Sequence, residues 1–280
     1  MARALVLNAT GKVSAGVIDT LVAQGHEVVA ASRHPKGAHR GVHAVHFDYA
    51  DPSTFDAALH DVDRLFWVSP PLVLDGYTHT KSFFARALPK VEKVVVMTAS
   101  GVEHSDAIPM RKTELLIEGS GVAWTHIRPT WFMDNFHTFW LEPMRRQGLI
   151  PLPAAESQTA FVDARDIAAA GAAALYNAKT DSKAYAITGS ESLTYADAAR
   201  IISEASGRQM RYVAIDDDAF VAGAVTAGLS EPYARMLAVL FAAVRDGAAA
   251  QVTTAVRDLT GSPPRTLASY AHEHAAAWRT

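Results

Sequence analysis

The sequence predicts an α/β fold, a doubly wound parallel sheet followed by a smaller, mostly helical C-terminal region. Two observations carry this. Apolar runs and helix-like segments alternate every 20–30 residues through about the first 130 positions, the rhythm of right-handed βαβ crossovers. Runs such as Val94–Val96 are apolar along their whole length instead of alternating, as strands buried on both faces must be. Composition agrees: of 280 residues 49% are hydrophobic and 20% charged, enough apolar surface to offset the entropy of ordering.

In order, strands are expected at Arg3–Leu7, Glu27–Ala31, Val42–Phe47, Arg64–Val68, Lys93–Thr98 and Ala123–Ile127. Between them, helical spacing covers Val13–Gln24, stopped by Gly25, then Pro52–Leu59 capped by Asp51, Gly76–Leu88 and Arg111–Glu118. After about residue 130 the rhythm changes. A short strand at Ala160–Val162 leads into a helix at Ala164–Tyr176, then a strand at Ala184–Ile187, a helix at Tyr195–Ala205 and a strand at Arg211–Ile215. From Asp216 onward helices are broken at Gly228, Gly247 and Gly261-Ser262-Pro263-Pro264. This divides the chain into residues 1–150, with 160–188 returning to them, and a region 189–280.

The net charge of −3 argues against a general nucleic-acid binder, which needs a basic face. With no cysteine there can be no disulfide, thiolate nucleophile or zinc–thiolate site. The N-terminal apolar run is too short for a signal peptide and no run approaches the ~20 apolar residues of a membrane span, so a cytoplasmic protein is expected. A monomer or homodimer is the default expectation. The twelve histidines show no metal spacing; His272 and His274, two apart on a helix, point in different directions.

The first strand runs directly into Asn8-Ala9-Thr10-Gly11-Lys12-Val13-Ser14 and a helix follows. Such a turn can aim free backbone N–H groups at a pyrophosphate on the helix N-terminus. Asn8 enters positive φ more readily than most residues with a side chain, Thr10 offers a hydroxyl and Lys12 a charge. The same residues also read as an ordinary strand–turn–helix. The second strand ends in Ser32-Arg33, where an acidic residue would bind a ribose 2′-hydroxyl; an arginine there suits a 2′-phosphate, which favours NADP(H) over NAD(H). Asp48, after the third strand, could accept from an adenine amino group or simply make a turn.

These pieces, taken with others in order along the chain, resemble the NmrA-like group of atypical short-chain dehydrogenase/reductases. Asn8-Ala9-Thr10-Gly11 resembles that group's G-A-T-G turn with the first glycine changed, and Ser32-Arg33-His34-Pro35 its segment after the second strand. Val94–Gly101, the block Ser120–Pro129 with Phe132-Met133-Asp134-Asn135, Phe161–Ala168 and Tyr185–Gly189 resemble its later motifs. The resemblance implies a Rossmann-type domain with a small C-terminal substrate domain, binding of NADP(H) or NAD(H), and a small-molecule substrate. It spans quinone, azo-type and iminium reductases, and regulators that bind the dinucleotide without turnover.

Ligands in doubly wound sheets sit beyond the C-terminal ends of the strands. Val68, Ser69, Pro70 and Thr98 are therefore expected at the cofactor. Trp67, Pro71, Ser100, Gly101, Trp131, Phe132, Met133, Asn135 and Phe136 are expected around an aromatic or conjugated substrate. The Tyr-x-x-x-Lys of classical members is absent: the helix after the fifth strand reads Pro109-Met110-Arg111-Lys112-Thr113-Glu114. Ser100 and His137 are the remaining catalytic candidates. The expected function is NADPH-dependent hydride transfer to an iminium, quinone-type or activated C=C/C=O bond. Alternatives are a dinucleotide-sensing regulator, or a non-redox cyclase or isomerase on the same fold.

Overall fold

The computed structural model describes residues 3–35 and 41–279. In chain order its elements are β1 (Arg3–Leu7), α1 (Lys12–Ala23), β2 (Glu27–Ser32), β3 (Val42–His46), α2 (Phe55–Ala58), β4 (Arg64–Val68), α3 (Gly76–Ala87), β5 (Lys93–Met97), α4 (Pro109–Glu118) and β6 (Ala123–Pro129). There follow α5 (Leu141–Gln147), β7 (Leu149–Leu152), β8 (Gln158–Thr159), α6 (Ala164–Leu175), β9 (Lys183–Ile187), β10 (Leu193–Thr194) and α7 (Tyr195–Ser206). The last are β11 (Arg211–Ala214), α8 (Asp217–Thr226), α9 (Glu231–Arg245), α10 (Ala255–Thr260) and α11 (Leu267–His274).

The chain divides into two compact units, Met1–Pro129 with Ala164–Ile187 and Ala255–Gly261, and the remainder. The division falls after Pro129 and not at 150, and a short helix from the C-terminal region, α10, returns to the first unit. The first unit is a seven-stranded sheet in the order β3-β2-β1-β4-β5-β6-β9, parallel throughout. This is the doubly wound Rossmann-type α/β fold, with its strand order reversing between β1 and β4. Leu5, Val6, Leu65, Phe66, Val94, Val95 and Val96 have no solvent exposure, which explains their unbroken apolar runs. Close backbone approach to α6 uses a glycine: a Cβ on Gly171 would stand 2.6 Å from the Phe66 ring.

One of the charged residues buried in this unit sits at the start of a central strand. Lys93 begins β5, and its Nζ donates to Asn177 O (2.8 Å), Thr180 Oγ1 (2.9 Å) and Asp181 Oδ1 (2.5 Å). All three donor sites of the ammonium are satisfied, so the burial is tolerated.

The second unit has two small sheets, β7 paired parallel with β11 and β8 antiparallel with β10, surrounded by helices. Helix α7 starts as its sequence suggests: Thr194 Oγ1 accepts from Asp197 N at 3.0 Å and Asp197 Oδ2 accepts from Thr194 N at 3.2 Å. The helix breaks at Gly228, Gly247 and Gly261 fall on left-handed backbone, φ +98°, +86° and +78°. The strand expected at Ala160–Val162 is corrected. Pairing occurs earlier, at Gln158–Thr159, and Val162 makes only an isolated bridge to Phe132. Ala160 N donates to Ala249 O and Ala160 O accepts from the Thr130 hydroxyl, so neither group extends a ladder, and the backbone at Gly189 packs so closely that a Cβ there would fall 1.9 Å from Phe161 O. Gly189→Ala is accordingly expected to cost about 2–3 kcal/mol, read as a lowered thermal midpoint. An unchanged midpoint would show that the contact relaxes freely.

No helix among the described residues is long and apolar enough to cross a membrane.

Candidate cofactor and acceptor site

The turn after β1 is built as a phosphate cradle would be. Asn8 takes φ +54°, the conformation its side chain tolerates best among non-glycine residues. Gly11 N donates to Asn8 O at 2.8 Å and Ala9 N to Ala31 O at 3.1 Å, which closes the turn against β2. A Cβ on Gly11 would stand 3.0 Å from Asn8 Nδ2 and 3.2 Å from Asn8 O, so the turn is tight enough to prefer glycine. Ser14 is buried, and its Oγ donates to Leu7 O at 2.8 Å, tying α1 to the end of β1. Gly11 caps α1 without a side-chain bond, and no acidic residue lies in the first turn. With no side chain at the cap and no carboxylate in the first turn to repel it, this helix start fits an anionic ligand. Val13 is buried, so only its backbone can take part; Lys12 and Thr10 are exposed. Ala9, Thr10, Ser32 and Pro35 line a cavity of about 330 Å³ that continues under α1 to Val42 and Ala44.

At the end of β2, Ser32 is buried and its carbonyl accepts from Phe47 N at 3.0 Å. Arg33 is exposed. Its carbonyl oxygen lies 2.9 Å from His46 Nδ1, while its guanidinium pairs with no described carboxylate. Asp48 forms a local turn, with Oδ1 accepting from Ala50 N at 2.9 Å, so one carboxylate oxygen is already used by its own loop.

Beyond β4, Ser69 and Pro70 are half-buried and Pro71 is exposed, while Val68 closes the strand in the core. Trp67 is a correction. Expected around the substrate, it has no solvent exposure and packs in the core against Phe84 at 5.5 Å between ring centroids. A strand covered on both faces sends alternate side chains into two core layers, and proximity to the strand end does not open them to a cleft.

The end of β5 is held by a buried charge network that the sequence reading missed. Thr98 Oγ1 donates to Glu114 Oε1 at 2.7 Å. Arg128, on β6, grips the same carboxylate with two bonds, Nε to Oε1 at 3.0 Å and Nη2 to Oε2 at 2.7 Å. Arg111 Nη1 bridges Glu114 Oε2 (2.8 Å) and Glu118 Oε1 (2.5 Å), and His126 Nε2 lies 3.0 Å from Glu118 Oε1. Burial pushes the carboxyl of Glu114 up, but the bonds from Arg128, Thr98 and Arg111 outweigh it and hold it below the usual glutamate range. Glu114, Glu118 and His126 bring ligand-type atoms within 4.8 Å of one another, yet the two guanidiniums already neutralise the carboxylates. The signal was a glutamate on the apolar side of α4, one turn from buried Ile117.

The network changes the reading of two candidates. Thr98 is buried and gives its hydroxyl proton to Glu114, so it anchors the strand end instead of presenting that proton to a cofactor. Ser100 Oγ donates to Arg128 O at 2.9 Å and Ser100 N to Pro129 O at 3.0 Å, which makes it a turn hydroxyl and not an available proton donor. Gly101 follows with φ +91°.

In the second unit, Trp131 and Phe132 are half-buried and Trp131 stacks on Phe241 at 4.5 Å. Asn135 is half-buried, and its carbonyl accepts from Trp140 N at 2.9 Å. Met133 and Phe136, expected in the substrate pocket, are instead core residues; Phe136 has no exposure and its carbonyl accepts from Trp278 Nε1 at 2.8 Å. The aromatic spacing there serves packing of this unit. His137 shares a hydrogen bond between Nδ1 and the Tyr270 hydroxyl, and its ring stacks on His274 at 4.5 Å with 9° between planes.

An NAD(P)H-binding family model matches residues 9–178 and the NmrA-like family model matches residues 110–263. An uncharacterised oxidoreductase, YesF, of Bacillus subtilis is 32% identical over 275 residues, covering 98% of this chain and 96% of its own. The NAD(P)H azoreductase of Xenophilus azovorans is 31% identical, with 85% of each chain covered. The Escherichia coli quinone oxidoreductase QOR2, solved with NADPH, superposes with a TM-score of 0.85 at 23% identity, over 97% of this chain and 99% of that one. The chain belongs to the NmrA-like family of NAD(P)H-binding proteins.

Proposed function

We propose that this protein is an NADPH-dependent reductase of small aromatic or conjugated acceptors. One observation carries the reading: the turn Asn8–Gly11 opens onto a helix N-terminus with no acidic residue in its first turn, and Arg33, whose guanidinium pairs with no described carboxylate, follows the adjacent strand. The pyrophosphate would lie on the backbone of residues 10–14, and Arg33 would meet the adenosine 2′-phosphate. Bound there, the dinucleotide supplies a hydride. The relatives named as azoreductase and quinone oxidoreductase support hydride acceptors of the quinone or azo type. Such acceptors are electron-poor, so proximity and orientation supply most of the catalysis and the protein need not protonate them in advance. This suits a first unit in which Thr98 and Ser100 have both committed their hydroxyl protons. The same commitment is what favours the second reading, a dinucleotide-sensing protein without turnover.

The test is thermal stability with NADPH, NADP+, NADH and NAD+, followed by NADPH consumption with menadione. Ligand at ~100 times its Kd adds about 2.7 kcal/mol, a shift of several degrees. A shift with the phosphorylated pair and menadione-dependent NADPH loss are expected. A shift without consumption by any quinone or azo acceptor would favour the sensor, and no shift with any of the four would remove the dinucleotide altogether.

A further inference from the structure

The segment between β4 and α3 presents apolar side chains to solvent at the ligand-binding edge of the sheet. Leu72 is 58% exposed and Leu74 46%, with Pro71 exposed between β4 and Leu72. Single exposed leucines need no explanation, but here consecutive apolar residues form one loop tip. The loop is pinned at its base. A Cβ on Gly76 would stand 3.1 Å from Ser69 Oγ, and Asp75 Oδ1 accepts from Thr78 N at 3.0 Å to start α3. The backbone at Leu72 is also held at φ +61°, a region that branched side chains avoid. Neither the exposure nor the strained backbone serves the core, since no side chain of the tip enters it. Strain of this kind persists where the surrounding structure enforces it for a purpose other than folding.

We infer that Leu72 and Leu74 are specificity-determining contacts for the acceptor, and that they select a flat, uncharged, apolar molecule of naphthoquinone shape over a sugar or a charged acid. The inference rests on the proposed reductase function for what is bound, and on the loop alone for where it touches. Burying a ring against two half-exposed leucines removes apolar surface on both partners from water, and the neighbouring carboxylate of Asp75, bonded to Thr78 N, would disfavour an anionic acceptor.

The experiment is equilibrium dialysis of menadione on the full chain with NADP+ present, so that binding is read without hydride transfer. The absence of cysteine removes quinone arylation of thiols as a complication. The double variant Leu72→Ser/Leu74→Ser is expected to weaken menadione about 10- to 30-fold with an unchanged thermal shift by NADP+. Leu72→Gly, which relaxes the backbone, is expected to weaken menadione without lowering the melting temperature; a structural role would lower it. Equal affinity in wild type and double variant overturns the inference, as does a wild type that binds no menadione. A variant whose mass in sedimentation falls from dimer to monomer overturns it too, by making the tip an interface between copies. Wild type that binds menadione in a Leu72-dependent way yet consumes no NADPH leaves the contact standing and removes the reductase reading.

Discussion

Arg33→Ala is expected to weaken NADPH about 10- to 100-fold while changing NADH less than twofold, measured as Kd for each dinucleotide. The range is that of one or two charge-assisted hydrogen bonds, about 1.5–3 kcal/mol together. The effect should be this selective because Arg33 is exposed and its guanidinium pairs with no described carboxylate, so its removal leaves no buried partner stranded. Stability without ligand should therefore stay within about 0.5 kcal/mol of wild type. The dependence on salt should fall as well, since a partly exposed ion pair is screened at physiological ionic strength. An equal loss for both dinucleotides would place Arg33 at the pyrophosphate or adenine. No loss for either would move the 2′-phosphate away from the end of β2 and with it the case for NADPH over NADH.

Glu114→Gln is expected to cost about 3–5 kcal/mol, a fall in melting temperature on the order of 10 °C. The carboxylate is fully buried and accepts from Thr98, Arg111 and twice from Arg128. The amide keeps the shape but removes the charge that compensates two guanidiniums, and it turns one acceptor into a donor facing them. The pH dependence follows from the direction of the shift. The folded carboxyl titrates below its ordinary value of 4.5, so its contribution is complete above that value and is lost as pH falls through the folded value. His126 adds to this from a higher pH. Burial holds it below 6.5, so the unfolded chain takes up that proton first and acidification below 6.5 also favours unfolding. Melting curves from pH 7 to 3.5 should be steeper for wild type than for Glu114→Gln at the acid end. Parallel curves would mean that the network is not held in its ionised form.

Much of the fold and part of the site were legible from local rules. The uninterrupted apolar strands could only be covered on both faces, so the parallel sheet and its helices followed from periodicity alone. The capped start of α7 and the glycine breaks after it are likewise decided within a few residues of chain. Asn8 at φ +54° belongs with them, since the ease with which asparagine enters the left-handed region is a property of the residue itself.

What the sequence could not settle depends on pairs distant along the chain. Trp67, Met133 and Phe136 are expected around the substrate, yet each turns into a core, because local sequence does not tell which neighbouring segments will cover an aromatic or apolar side chain. Glu114 and Arg128 stand 14 residues apart, one on a helix and one on a strand, and each alone reads as a solvated surface charge. Only the packing of α4 against β6 buries Glu114 completely and Arg128 largely, and so makes their pairing obligatory. By itself the sequence determined the alternation of elements, the tight turn after β1 and the arginine that follows β2, since these depend on local backbone preference and residue order. The tertiary structure decided which hydroxyls are already committed, which aromatics are core and which leucines face solvent, because burial and hydrogen bonding are shared between segments that meet only in the folded chain.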